Sequence, residues 1–475
     1  MIDEPKQIDS TMAKATRRTL VMEHITRRIR SRTYSAGTKL PSVRVLARRV
    51  GVSPSTVVEA YDVLAAEGVI FSRRGSGFFV SDRVQPFVVS QTGPQLEREI
   101  DPLWVARQSI DAEDSMEKPG CGWMPSDWMP LESLRRAMRN VARGNSNVLT
   151  DYSNAKGHAG LRQHVARMLG DQNIDVDPNT VLLTNSGSQA LDLICRLLLK
   201  PGDTVLVDDP CYFNFQALLR AHQVALVSVP YTPNGPDLTM FESVLRKERP
   251  RLYLTNSALH NPTGATLSAA TAHRVLSLAE AHDLLIVEDA IFAEFEPDLS
   301  PRLAALDGLD RVLTIGSFSK TLSASLRCGY IAARHSWIAA LTDLQVAISF
   351  GGPSPMVTEL LHAALTDGSY RKHMDALRAK LDRARARSID ELGTLEIKPF
   401  VNPKGGFYLW CELPDGREAA MLAREALKQG VVLAPGNVFS PTQSKNSFMR
   451  FNVSQMTGVT HKKLLRELMS ATRPQ

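Results

Sequence analysis

The chain reads as a multidomain α+β protein: a small helical module closed by a β-hairpin, followed by a much larger α/β domain. Three observations predict this. At 475 residues with 43% hydrophobic side chains, it is too long for one ordinary core and can bury more than one. Its charge is uneven: residues 1–85 hold 15 Lys and Arg against 8 Asp and Glu, a net of +7, whereas the remainder holds 41 against 42. From about residue 120, short apolar runs alternate with helical stretches, the pattern of a mostly parallel sheet flanked by helices. The implied division is a module over 12–82, a linker over 83–119 and a domain over 120–475.

Within the module, Val21, Ile25 and Ile29 recur at helical spacing between Thr19 and Arg32. A turn at Gly37 follows. Ser42 then fits an N-cap for a second helix that carries Leu46 and Ala47 inward and stops near Gly51. Ser53-Pro54 opens a third helix, with proline suited to the first helical position. Val57, Tyr61 and Leu64 face the core, which leaves Ser55, Thr56 and Glu59 outward. Gly68 stops this helix. Val69–Phe71 and Phe78–Val80 flank the basic tip Ser72-Arg73-Arg74-Gly75-Ser76-Gly77 of a hairpin.

Three helices and a basic hairpin form a winged helix-turn-helix whose third helix enters the major groove of double-stranded DNA. Arg44, Ser53, Ser55 and Thr56 are placed to reach phosphates or base edges, and Arg73, Arg74 and Gly75 the adjacent backbone or minor groove. Leu40-Pro-Ser-Val-Arg44-Val-Leu-Ala47, Gly51-Val-Ser-Pro-Ser-Thr-Val57, Ala60-Tyr61, Leu64 and Gly75-Ser-Gly-Phe-Phe-Val80 resemble the GntR family of bacterial repressors across the whole module. Pro54 stands where many relatives have Arg, so the resemblance does not carry a base contact at that position.

In the larger domain, Val181–Thr184, Val205–Val207, Leu252–Leu254, Leu284–Val287, Val312–Ile315 and Tyr330–Ala332 read as buried strands, with helices over 188–199 and 268–282. Ligands in such folds sit at the carboxyl ends of strands. Several chemistry-bearing residues follow a strand here. Singly, each has an ordinary reading. Ser186-Gly187-Ser188-Gln189 is a turn, or a helix N-terminus that binds phosphate. Asp289 is a strand-end carboxylate with a cap partner, or the partner of a protonated pyridine nitrogen. Asn261 is a turn residue, or a donor to a phenolic oxygen. Tyr212 is core, or stacks on a pyridine ring. Lys320 is a surface lysine, or an amine surrounded by Ser317, Ser319 and the phosphate fork of Arg327. Taken in order, amine, aromatic-nitrogen partner and phosphate cup point to pyridoxal 5′-phosphate (PLP).

Tyr152…Gly157-His-Ala-Gly-Leu-Arg162, Ser186–Gln189, Asp209-Pro-Cys-Tyr212, Asn261-Pro-Thr-Gly264, Asp289, Ser317-Phe-Ser-Lys320, Arg327-Cys-Gly-Tyr330 and Arg450-Phe-Asn452 resemble the fold-type I aminotransferases over about residues 120–470. The resemblance implies that Lys320 carries PLP as a Schiff base, Asp289 pairs with the pyridine nitrogen, Asn261 with the phenolic oxygen, and Tyr212 covers the ring. It implies that Ser186, Gly187, Ser188, Gln189, Ser317, Ser319 and Arg327 cradle the phosphate, that Tyr152 reaches it from a neighbouring subunit, and that Arg450 takes a substrate or effector carboxylate. Relatives commonly place a Tyr two or three residues after the pyridine Asp; here Ala290-Ile291-Phe292 follow.

A GntR-type module joined to such a domain is similar to the MocR subfamily. That resemblance implies a bacterial, homodimeric, PLP-dependent transcriptional regulator that senses an amino compound or PLP. The alternative is a working aminotransferase with an accessory DNA-binding module. The five scattered cysteines form no CxxC pair and favour a reducing cytoplasm over disulfides or a metal site. The start lacks a signal-peptide pattern, no stretch is long enough to span a bilayer, and no internal repeat is evident.

Overall fold

A computed structural model of the chain describes residues 17–30, 34, 38–73, 76–81, 102–113, 115–144 and 146–471. The fold divides into two compact units, residues 1–93 and 94–475. The expected turn at Gly37 lies outside the described residues.

The first unit contains helices α1 (Arg17–Arg30), α2 (Val43–Val50) and α3 (Pro54–Ala66), followed by strands β1 (Ile70–Arg73) and β2 (Gly77–Val80) paired antiparallel. Its core unites Val21 and Ile25, Leu46 and Ala47, and Val57, Ala60, Tyr61 and Leu64 with Ile70 and Val80 of the hairpin. Every apolar position expected on the inner faces of α2 and α3 is buried. Tyr61 lies between helices and donates its hydroxyl to Pro41 O at 2.7 Å. Gly51 ends α2 at φ 72°, and its N–H bonds Ala47 O, the left-handed cap for which glycine has no Cβ penalty.

The second unit is built on an eight-stranded sheet. Its strands are β3 (Val181–Thr184), β4 (Thr204–Asp209), β5 (Ala225–Thr232), β6 (Gly235–Pro236), β7 (Leu252–Thr255), β8 (Leu285–Asp289), β9 (Val312–Ser317) and β10 (Gly329–Ala332), in the spatial order β3-β10-β9-β8-β7-β4-β5-β6. Strands β5, β4, β7, β8 and β9 run parallel. All six expected strands form. The run Tyr330–Ala332, however, is antiparallel to both its neighbours. Its apolar composition marks burial on both faces and carries no direction. Two large apolar clusters pack on the sheet, one including helix Gly187–Leu198 and the other helix Ala269–Ala281.

A second sheet, of strands β11 (Lys398–Pro399), β12 (Tyr408–Glu412), β13 (Ala434–Pro435) and β14 (Phe448–Asn452), is wholly antiparallel. It was not expected; two of its strands are two residues long and lack a readable period. One domain-boundary expectation is corrected. Residues 102–119 are not linker: Pro102–Asp111 is a helix whose Trp104 and Val105 are buried in the core of this second sheet. Glu117 bridges to Val431 and accepts the backbone N–H groups of Thr460 and His461. Burial opposes ionisation of Glu117, but hydrogen bonds from Thr460 and His461 hold its carboxyl down to about 2. Among the described residues, no helix is long and apolar enough to cross a membrane.

Candidate functional site

A cavity of about 410 Å³ opens at the carboxyl ends of β8 and β9. Most of the residues singled out for cofactor chemistry line it: Ser186, Gly187, Ser188, Tyr212, Asn261, Asp289, Ser317, Ser319, Lys320, Arg327 and Arg450.

Lys320 follows β9 and is half-buried. Its ammonium donates to Gly122 O at 2.5 Å. Burial, with Arg450 and Arg327 nearby, lowers its pKa to about 8, so a useful fraction of neutral amine exists near neutrality. Asp289 ends β8 with its Oδ1 accepting the Ile291 N–H at 3.0 Å. Burial pushes its carboxyl up to about 6, against the pull of that N–H, of the Asn256 side chain and of Lys320. An apolar strand end penalises the carboxylate until a cation pairs with it.

Ser186 caps helix Gly187–Leu198 by accepting the Gln189 N–H at 3.0 Å. The helix N-terminus, with its unsatisfied N–H groups, therefore opens on the cavity. Gly329 permits this approach: a Cβ there would lie 2.6 Å from the Ser186 carbonyl carbon. Ser317 Oγ donates to Cys328 O at 3.0 Å and meets Ser319 Oγ at 2.9 Å. Arg327 is exposed at the cavity, in the left-handed region at φ 43°.

Arg450, on β14, is 1% exposed. It donates to Asn261 Oδ1 at 3.0 Å and Gly120 O at 2.8 Å, and its guanidinium lies 4.3 Å over the Tyr408 ring. Among the described residues its Nε has no hydrogen-bond partner. Tyr212 is half-buried, edge-on to Phe215.

Two expected residues do not join this cavity. Gln189 turns back to accept the Asn185 N–H at 2.6 Å, so it braces the loop before the helix. Tyr152 is 79% exposed, against Phe350, itself 67% exposed. Sequence reasoning also missed four contributors. Gly122 and Trp123 belong to a strap over 120–123 that Asn452 fastens by donating to Cys121 O and Trp123 O. Asn256 donates to Asp289 O. Tyr408 donates to Gly122 O at 3.3 Å, the carbonyl that also accepts Lys320. The paired glycines Gly120 and Gly122 were the available signal, since both sit where a Cβ would meet neighbouring atoms.

In the first unit, Ser53 caps α3, with its Oγ accepting the Thr56 N–H and meeting the Ser55 and Thr56 hydroxyls at 2.8 Å each. Ser53 and Ser55 are exposed and Thr56 is half-buried, at the end of α3 that a recognition helix presents to bases. Arg44 is exposed on α2. Arg73 lies 5.5 Å from the Phe71 ring and 5.1 Å from the Phe79 ring, which orients it on the hairpin. Arg74 and Gly75 lie outside the described residues.

Residues 124–468 match the aminotransferase class I and II family, and residues 18–80 the bacterial regulatory proteins of the gntR family. The chain is 31% identical to the uncharacterized HTH-type transcriptional regulator YjiR of Escherichia coli K12, over 94% of this chain and 96% of that one. It belongs to the MocR subfamily of GntR-type regulators. A second such relative is the HTH-type transcriptional regulator NorG of Staphylococcus aureus, 25% identical over 89% of this chain and 97% of its own. Among solved structures, the α-aminoadipate aminotransferase LysN of Thermus thermophilus, complexed with N-(5′-phosphopyridoxyl)-L-leucine, superposes with TM-score 0.70 at 27% identity. It covers 77% of this chain and 95% of its own. The kynurenine aminotransferase of Pyrococcus horikoshii, at 22% identity and the same TM-score, shares the fold. This MocR-type chain thus has regulator relatives spanning both units and enzyme neighbours spanning one.

Proposed function

We propose that this chain is a PLP-dependent transcriptional regulator: its first unit binds operator DNA, and its second holds PLP and senses an amino compound. One observation carries the cofactor reading. Four charged groups of both signs converge on one cavity, each with unused capacity. Asp289 Oδ1 accepts the Ile291 N–H and no cation is paired with its carboxylate among the described residues, Arg450 has a buried Nε without a partner among those residues, Arg327 is open at the cavity, and Lys320 donates to a backbone carbonyl. Leaving a buried donor such as Arg450 Nε unpaired is costly unless a ligand completes it. The residues therefore fit PLP, which when bound supplies an electron sink for an amine attached to it.

The chain's own residues would do the rest. Lys320 provides the amine that holds the cofactor, and its depressed pKa keeps that amine partly neutral. Asp289 would hold a proton on the pyridine nitrogen. The helix N-terminus at Gly187, with Ser317, Ser319 and Arg327, would take the phosphate dianion. Asn261 is already oriented by Arg450 and would donate to the phenolic oxygen. Arg450 would use its free Nε for a carboxylate. Relatives commonly carry a phenol two or three residues after the pyridine Asp; here Ile291 and Phe292 stand at the cavity wall instead, so that donor is missing and proton handling is not tuned for turnover. This favours sensing over catalysis.

The exposed pair Tyr152 and Phe350 supports a homodimer, in which Tyr152 would reach the neighbouring subunit's phosphate. A dimer with two reading heads suits a repeated or palindromic operator. The test is operator binding with and without PLP and candidate amines, run beside a transamination assay. Amine-dependent change in operator affinity with negligible turnover supports the regulator. Brisk turnover with unresponsive DNA binding would establish the enzyme alternative.

A further inference from the structure

Beyond the part of the cavity wall formed by Asn256 and Asn261 lies a buried polar cluster that the cofactor contacts do not use. Asp208, on β4, is 1% exposed, as is His260, in the loop after β7. Neither lines the cavity, and at that burial neither offers surface to a neighbouring subunit. Asp208 Oδ1 accepts the Tyr253 hydroxyl at 2.6 Å. Its Oδ2 accepts the Thr255 hydroxyl at 2.7 Å and lies 3.3 Å from His260 Nε2. On the other side of the ring, His260 Nδ1 meets Thr263 Oγ1 at 2.9 Å, and that oxygen accepts the Ala265 N–H. With Thr263 donating to Nδ1, the neutral ring carries its proton on Nε2, facing the carboxylate. Tyr231, on β5, stacks on the imidazole with centroids 3.8 Å and planes 13° apart.

Among the described residues no Lys or Arg pairs with Asp208. Burying a carboxylate is costly, and an apolar cluster of equal volume would stabilise the core about as well. The cluster is better explained by what it fixes. His260 immediately precedes Asn261, whose Oδ1 is taken by Arg450, which leaves the amide N–H for a phenolic oxygen. The loop closes on His260 twice: its N–H donates to Ala265 O, and its carbonyl accepts the Gly264 N–H. Tyr231 donates to Asn256 O, and the Asn256 side chain donates to Asp289 O. One cluster thus fastens both the loop that carries Asn261 and the residue that braces Asp289. We propose that His260, held by Asp208, Thr263 and Tyr231, is the positioning residue that aims Asn261 at the phenolic oxygen of PLP. The inference rests on the cofactor reading above. A ring pinned at both nitrogens cannot turn without breaking a contact, so the donor is set in place before the cofactor arrives.

The test reads the pH midpoint of the absorbance of PLP bound to the full chain. A donor on the phenolic oxygen favours the anionic form, so losing that donor raises the midpoint. Asn261→Ala sets the reference shift. His260→Phe keeps a ring on Tyr231 but removes both nitrogen contacts, and should raise the midpoint in the same direction by about half a unit or more. His260→Gln, which still offers Asp208 a donor, should recover most of that shift. Combining His260→Phe with Asn261→Ala should move the midpoint no further than Asn261→Ala alone, because both act through one contact. Thermal unfolding of the cofactor-free variants checks the fold, and Asp208→Asn supplies a milder lesion with a smaller rise. An unmoved midpoint in folded His260→Phe, shifts that add in the double variant, or failure of both His260→Phe and Asp208→Asn to fold would each overturn the inference and leave the cluster as scaffold. Failure of the underlying cofactor reading looks different: the parent chain itself would then give no borohydride-fixed adduct on Lys320.

Discussion

The two units place functional residues by different means. In the first unit, Ser53, Ser55 and Thr56 meet within one turn of α3, and the surface proposed to meet DNA is the solvent-exposed side of that helix. In the cofactor domain, Lys320 reaches a carbonyl 198 residues away, and Arg450 spans 189 residues to Asn261 and 330 to Gly120. A short, local site tolerates change on its surface without disturbing its core. A site closed by buried, long-range hydrogen bonds is coupled to packing, so its side chains titrate together and respond to one another. If this contrast is right, changes in one unit leave the other's readout intact, and changes within the cavity do not act singly.

The largest effect expected is loss of the covalent cofactor. Lys320→Ala should abolish the borohydride-reducible adduct, and a peptide map of the parent chain should place the pyridoxyl group on Lys320. Operator affinity measured without PLP should stay within about twofold, because Lys320 belongs to the other unit. A pyridoxyl group on another lysine would reject the site. Operator affinity that collapses without PLP would reject the separation of the two readouts.

Next is the electrostatics of the reading module, whose +7 balance predicts a steep fall of affinity with salt. Replacing Arg44 and Arg73 together by Ala should reduce the salt slope by about 2, one for each phosphate no longer neutralised, and weaken binding uniformly across sequences. An unchanged slope would mean that these arginines face solvent in the complex. If residues 94–475 alone bound the operator as well as the full chain, the assignment of DNA binding to the first unit would be wrong.

The same contrast explains what could be read without a structure. The module was legible nearly throughout, because its signals are local: a serine before Pro54, an apolar i, i+4, i+7 stripe and glycine stops. In the larger domain the strand-following residues were legible for the same reason. Asp289, Asn261 and Lys320 each announce themselves within a few positions of a strand. Tyr408 did not, because its role exists only where β12 meets the strap at Gly122. The helix Pro102–Asp111 was hidden by its own brevity. Its core partners lie in a sheet formed more than 290 residues later, against which Trp104 and Val105 pack. Gln189 was legible as a residue but not as a rotamer, and the chain uses it to brace Asn185.

The pH dependence of cofactor capture probes the cavity more finely. The attacking group is the neutral amine, and burial together with Arg450 and Arg327 lowers the Lys320 pKa to about 8. Capture of PLP by the cofactor-free chain should therefore quicken as pH rises from 6.5 to 9, with a midpoint near 8, because the ammonium is progressively deprotonated. Asp289, raised to about 6 by burial, finishes ionising at the low end of that range, well below the midpoint near 8. Stopped-flow absorbance measures the rate. A midpoint near 10.5, the ordinary lysine value, would show that neither burial nor the arginines act on this amine.

Tyr408→Phe gives the smallest change and tests coupling inside the cavity. The Tyr408 phenol and the Lys320 ammonium share one acceptor, Gly122 O, at 3.3 and 2.5 Å. Burial raises the phenol's pKa beyond the alkaline range, so it remains a donor throughout. A carbonyl accepting two donors serves each less well than it would serve one. Removing the hydroxyl leaves Gly122 O to Lys320 alone, which strengthens a bond made by the charged form. The amine's pKa should then rise, by less than a unit, since a hydrogen bond to a charged donor contributes about 1.5–3 kcal/mol and only part of it changes. Capture of PLP at pH 7.5 should slow about two- to fourfold, with the midpoint moved upward and the plateau at high pH unchanged. The phenylalanine ring would keep its face under Arg450, which sits 4.3 Å from the ring centre, so the cation–π interaction survives the substitution. An upward midpoint with an intact plateau separates this shared-acceptor role from simple disorder of the strap, which would lower the plateau as well. No movement of the midpoint would mean that the hydroxyl and the ammonium do not compete, and that the cavity's donors act independently after all.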